Sequence, residues 1–160
     1  RSHVLACHAV APHFMERKYG KIVMISSVAG KLPNPANMTY GTNKNGVVFF
    51  TKALSRELAK YNINVNCVCP GIIYTPNWER LAEQHIRFAA QARKKSGAAG
   101  PSEVEQMTPR EYFEKRMIAN VPLGREQTAE DIGRAVVFLV SEDAKNITGQ
   151  DLNVCGGMAL

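Results

Sequence analysis

Tyr40 and Lys44 stand four residues apart at the end of a loop rich in proline and asparagine, SSVAGKLPNPANMTYGTNK, which begins at Ser26. On a helix that spacing puts both side chains on one face, and Thr39 or Asn37 is suited to start the helix so that they project from its first turns. A phenol with its ordinary pKa of about 10 is a poor base at neutral pH, but a neighbouring ammonium favours the phenolate. Lys44 is placed to be that ammonium. Ser27, thirteen residues before Tyr40, ends an apolar run that reads as a strand, and ligands bind at the carboxyl edge of open α/β sheets. Its hydroxyl is suited to hydrogen-bond a substrate oxygen. Together the three can hold a carbonyl or alcohol oxygen and pass a proton, the electrostatic half of a hydride transfer.

The surrounding pattern supplies the elements that must position them. Ser2 to Tyr19 has partial helical periodicity interrupted by Pro12, and Gly20 is expected to stop it. Lys21 to Ser27 reads as a short buried strand. Thr39 to Lys60 is amphipathic, with Val47, Val48, Phe50, Thr51, Leu54 and Leu58 recurring at helical spacings, and Asn62 marks its end. Ile63 to Cys69 alternates apolar residues as a second strand, stopped by Pro70-Gly71. Helical pieces come next at Trp78 to Lys95 and Pro109 to Ala119, joined by a Ser, Gly, Ala and Pro-rich stretch from Ser96 to Ser102. Thr128 then caps a helix whose buried stripe is Ile132, Val136, Leu139 and Val140, and Asp151 to Cys155 is a last strand. Alternating helices and short apolar strands imply an α/β fold with a parallel sheet covered on both faces.

Composition excludes several classes. With 160 residues and 45% hydrophobic content the chain is the length of one domain. No apolar run is long enough to span a membrane and no signal-peptide order opens the chain, so a soluble cytoplasmic protein is expected. The net charge of +6 is spread along the chain without interleaved aromatic residues, which argues against a nucleic-acid partner. Cys7, Cys67, Cys69 and Cys155 lack the spacing of a zinc site, and His3, His8 and His13 diverge around a helix, so no metal is expected; the cysteines read as reduced, buried thiols.

In order, KIVMISS, YGTNK, NVNCVCPGIIYT, VPLGR and ITGQDLNVCGGM resemble the short-chain dehydrogenase/reductase family over nearly the whole chain. The resemblance implies the C-terminal part of a doubly wound, Rossmann-like parallel-sheet fold, NAD or NADP as cofactor, and a small-molecule alcohol or ketone as substrate. It implies that Tyr40 is the acid/base, that Lys44 binds the nicotinamide ribose and lowers the tyrosine pKa, and that Ser27 orients the substrate oxygen. Pro70, Gly71, the Ile73 backbone and the Thr75 hydroxyl are implied at the nicotinamide carboxamide. The family's glycine-rich phosphate loop, its NAD or NADP selector and a further catalytic Asn belong upstream of Arg1. The chain by itself is therefore expected to bind cofactor poorly and to be an inactive fragment.

The segment after Thr75 is longer than the family's usual one, and about 76–121 is expected to form a substrate lid, with Trp78, Leu81, Phe88, Tyr112 and Phe113 walling the substrate and Arg87, Arg93, Lys94 and Lys95 available to an anionic tail. The helices at Ser2 to Tyr19 and Thr39 to Lys60 resemble those the family packs across subunit interfaces. They imply a homodimer or homotetramer, and they support the alternative of a non-catalytic oligomerisation or interaction module.

Overall fold

A computed structural model describes residues 1–97 and 99–159, so Ala98 in the stretch expected to join the two helical pieces lies outside the described residues. The chain divides into two compact units. One comprises Arg1–Gly71 with Ala129–Cys155 and Ala159, and the other Ile72–Thr128 with Gly156–Met158.

The first unit is built on a parallel sheet of β1 (Gly20–Ile25), β2 (Ile63–Pro70) and β3 (Asp151–Val154), with β2 in the middle. Gly20 pairs with Ile63 and Ile25 with Val68, while Cys67 pairs with Asp151 and Pro70 with Val154. This is the expected α/β architecture. Val65, Cys67, Val68 and Cys69 have no exposed surface, so β2 is buried on both faces rather than alternating. Asn66 tolerates that position because its amide donates to the Ile147 carbonyl at 2.8 Å and accepts from the Gln150 N–H at 2.9 Å. All four cysteines are free and buried.

Helix α1 (Ser2–Arg17) runs through Pro12 without interruption, contrary to expectation. His8, whose carbonyl loses its partner there, is exposed, so water can take the lost bond. Lys18, not Gly20, ends the helix: its φ of 50° turns the chain, and Gly20 is already the first residue of β1. Helix α2 (Met38–Leu58) buries Val48, Thr51, Ser55 and Leu58. It passes through a short 3-10 turn to Asn62, whose φ of 59° makes the predicted stop. Helix α5 (Ala129–Val140) comes directly after Thr128 as expected, but Val140 is exposed while Ile132 and Leu139 are buried.

The second unit contains α3 (Pro76–Ser96) and α4 (Pro109–Tyr112). The helix expected over Pro109 to Ala119 is instead α4, a π-helical turn at Phe113–Met117 and a 3-10 turn at Ile118–Asn120. Nothing in its run of helix-forming residues signals these changes of pitch. Phe113 is fully buried, with the rings of Tyr74 and Trp78 edge-on to it at 5.0 and 5.9 Å. Arg110 lies 4.9 Å from the Tyr74 ring and grips Glu126 through two nitrogens at 3.1 Å. The Arg93 guanidinium is held by Glu105 at 2.7 Å, so it serves this unit's own packing, whereas Lys94 and Lys95 are exposed. Among the described residues no helix is long and apolar enough to cross a membrane.

Candidate active site

The three residues singled out for chemistry all belong to the first unit, and the backbone around them explains how they are held. β1 ends at Ile25, two residues before Ser27, so Ser27 lies beyond the strand rather than closing it. The ladder extends one residue further, through the Ser26 N–H to the Val68 carbonyl at 2.8 Å. Ser27 is extended and caps a 3-10 turn at Val28–Gly30, its Oγ accepting from the Ala29 N–H at 3.2 Å. A hydroxyl that accepts in this way still has its own proton to donate. The chain turns here because a capping serine stabilises the first N–H groups of a turn better than a strand position would.

Helix α2 supplies the other two. Asn37 is at its N-cap position, as one of the two expected starts, but its side chain makes no capping bond; the nearby side-chain bond is from Asn34, which accepts from the Ala36 N–H at 3.0 Å. Tyr40 is 43% exposed, which leaves its phenol open to a ligand. Lys44 reaches back along the same face, its Nζ 5.6 Å from the Tyr40 ring centre and donating to the Ile25 carbonyl at 3.1 Å. One of the ammonium's three donors is thereby used to aim it.

The loop and the helix are locked together by a side-chain-to-backbone hydrogen bond in each direction. Buried Ser26 donates to the Lys44 carbonyl at 2.7 Å, and the Asn45 amide donates to the Gly30 carbonyl at 2.8 Å. A Cβ on Gly30 would fall 2.7 Å from the Asn45 nitrogen and the Lys44 carbonyl carbon, and one on Gly41 would fall 2.9 Å from the Ala29 oxygen. Glycine is needed at both positions for this approach. Sequence reasoning missed Asn45, Gly30 and Gly41 as parts of the site; the only local signal was that Gly41 comes directly after the tyrosine.

Of the residues expected at the cofactor, Pro70 ends β2 and Gly71 donates its N–H to the Val154 carbonyl at 2.9 Å, both in the first unit. Ile73 and Thr75 belong to the second. Thr75 caps α3, accepting from the Trp78 N–H at 3.3 Å, and so also keeps its hydroxyl proton for a ligand. Trp78 is half-buried against Phe113. The donor set of an aimed ammonium, an open phenol and a serine hydroxyl near the carboxyl end of a parallel strand fits the ribose and nicotinamide end of a dinucleotide. No glycine-rich phosphate loop is among the residues of this chain.

Comparison with known proteins gives consistent matches. The short chain dehydrogenase family model matches residues 1–86, and the enoyl-(acyl carrier protein) reductase model matches residues 96–159. The 3-oxoacyl-acyl-carrier-protein reductase FabG of Haemophilus influenzae is 36% identical, the match covering 95% of this chain and 51% of that protein. Subunit BbsD of a hydroxy(phenyl)methylsuccinyl-CoA dehydrogenase from Thauera aromatica is 34% identical, covering 98% of this chain and 51% of its own. Among solved structures, an actinorhodin polyketide ketoreductase variant with NADPH superposes with a TM-score of 0.69 at 37% identity, covering 91% of this chain and 49% of that one. The chain spans about half the length of the curated relatives it matches.

Proposed function

The chain belongs to the short-chain dehydrogenase family, and from that premise we propose that the full-length protein is an NAD(P)-dependent oxidoreductase interconverting a secondary alcohol and a ketone, with Tyr40 as acid/base. The substrate class we assign is a 3-oxoacyl thioester. One relative is named a 3-oxoacyl-acyl-carrier-protein reductase and another a dehydrogenase of a hydroxylated CoA thioester.

The observation that carries this reading is the lock of the Ser27 loop onto the helix bearing Tyr40 and Lys44. Ser27 donates its hydroxyl proton to the ketone oxygen and holds it. Tyr40 delivers a proton to that same oxygen as the carbon is reduced, and takes it back in the reverse direction. Lys44, steered by the Ile25 carbonyl, holds the ribose hydroxyls and keeps positive charge beside the phenol. Pro70, Gly71, Ile73 and Thr75 hold the carboxamide, Thr75 through its hydroxyl proton. The nicotinamide, when bound, supplies or accepts the hydride.

Mixing the full-length protein with a 3-oxobutanoyl thioester and either NADH or NADPH is expected to consume the reduced nucleotide and form the 3-hydroxy product. Absence of turnover and of nucleotide binding with both, in a folded preparation, would favour the non-catalytic interaction module. The protein is further proposed to be a homodimer or homotetramer working in the cytoplasm. Val4, Leu5 and Val10 on α1 and Phe49 on α2 are large apolar side chains left exposed. A monomer in sedimentation would contradict the assembly.

Residues 76–121 act, in this reading, as the substrate lid, with Trp78 against the acyl chain. Trp78→Ala is expected to raise the thioester KM about tenfold and to leave cofactor affinity unchanged, and because it also removes the ring that packs edge-on against Phe113 a denaturant melt accompanies the kinetics. An unchanged KM, or an equal loss in cofactor binding, would remove the lid from the proposal.

A further inference from the structure

We propose that Lys31 is a positioning residue for Ser27, acting through an anchor on β3 formed by Asp151 and Asn153; this rests on the reading of Ser27 as the hydroxyl that holds the substrate oxygen. Lys31 closes the turn that Ser27 opens, its N–H donating to the Val28 carbonyl at 2.9 Å. Its Nζ makes three bonds: to the Asp151 carbonyl oxygen at 2.8 Å, to Asn153 Oδ1 at 2.6 Å and to Asp151 Oδ2 at 2.8 Å. An ammonium has three N–H bonds, so these acceptors saturate it and fix its direction.

The anchor is itself braced. Asn153 donates its amide to the Ala159 carbonyl at 2.6 Å, which orients Oδ1 toward Lys31. The second carboxylate oxygen of Asp151 takes Lys52 Nζ at 3.2 Å, and Lys52 lies on α2. A single carboxylate therefore ties both the Ser27 loop and the Tyr40 helix to one strand. Burial alone would raise the Asp151 carboxyl, but the bonds from Lys31 and Lys52 outweigh it and hold its pKa below the ordinary carboxylate value, so it is charged at neutral pH.

The anchor matters because the chain beyond Lys31 has little else to hold it. Leu32 to Tyr40 are all exposed, so no buried side chain fixes the backbone between Lys31 and the helix start. Gly30 is held from the helix side by Asn45, and Lys31 holds the turn from the sheet side. Releasing one side lets the turn tilt and carries the Ser27 hydroxyl with it; misplacing a reacting group by about 1 Å costs on the order of a hundredfold in rate.

The test is a mutant cycle in the full-length protein between Lys31→Met and Ser27→Ala, with Lys31→Arg as the conservative replacement. Lys31→Met is expected to lower kcat about tenfold or more when Ser27 is present and less than about twofold when Ala replaces it, because a positioning effect vanishes with the group positioned. Lys31→Arg is expected to recover most of the loss, with cofactor affinity unchanged throughout. An equal loss in both backgrounds, or no loss, overturns the proposal. Should Lys31→Met not fold, Asn153→Ala, which removes only one of the three bonds, enters the same cycle with the same criteria. Hydrogen exchange at the Ala29 and Gly30 amides separates the anchor from the chemistry. Faster exchange in Lys31→Met with an unaltered rate elsewhere supports the anchor, and no change overturns it. A wild-type protein that reduces no ketone, yet shows the exchange effect, overturns the functional reading and the positioning role built on it while leaving the anchor intact.

Discussion

Tyr40→Phe is expected to lower kcat of the full-length protein by about a thousandfold or more, with cofactor affinity and folding stability nearly unchanged. The substitution removes one oxygen and keeps the ring over which Lys44 sits. Tyr40 is exposed, and among the described residues its hydroxyl makes no hydrogen bond, so nothing buried is left unpaired when it goes. Exposed changes of that kind stay within about 0.5 kcal/mol of neutral. The whole loss must then fall on proton transfer, for which a positioned acid/base contributes roughly a hundred- to ten-thousandfold. Steady-state kinetics beside a denaturant melt and a nucleotide titration distinguish the cases. A kcat within tenfold of wild type would remove Tyr40 from the role of acid/base.

Gly30→Ala carries the second largest expected effect, and it is a prediction of geometry alone. The added Cβ would stand 2.7 Å from two backbone atoms of Lys44 and Asn45 and 3.0 Å from the Lys44 oxygen. Backbone in the middle of a helix cannot swing aside as a side-chain tip can, so the turn must withdraw by a few tenths of an ångström to about 1 Å. That strain is expected to cost about 1–3 kcal/mol of stability, as overpacking does. The Asn45 bond to the Gly30 carbonyl, 2.8 Å in the native arrangement, stretches or breaks. Ser27 moves with the turn, and kcat is expected to fall about a hundredfold while nucleotide affinity, which the proposed function assigns to Lys44 on the helix side, changes little. Gly46→Ala is the control: it sits on the same helix with nothing within 4 Å of the added carbon, and is expected to be neutral or slightly stabilising. Equal kinetics for the two variants would show that the close approach of loop and helix does not govern the site.

The helix bearing Tyr40 and Lys44, the parallel sheet and its crossovers were legible because they rest on short-range periodicity. Four-residue spacing on α2 and apolar runs at β1 and β2 are properties of neighbouring residues. Ser27 was legible as a residue but not as a place: it was expected at the end of a strand, and it caps a turn two residues further on. The error arises because a serine that can bond its own backbone competes with the ladder, and the outcome depends on what the turn packs against. The interruption expected at Pro12 failed for a similar reason, since the exposed side of α1 can lose a hydrogen bond to water at little cost.

What the sequence by itself determined is the local spacing of the candidate reactive groups, because a helix fixes i and i+4 on one face whatever surrounds it. It also determined the order of helix and strand. Only the tertiary structure decided that β2 is buried on both faces, that Gly30 and Gly41 exist to let a loop touch a helix, and that Lys31 is bound to Asp151 across 120 positions of chain. Each of these depends on which backbone lies within a few ångströms after folding, and no periodicity along the chain encodes the distance between segments that sequence keeps far apart.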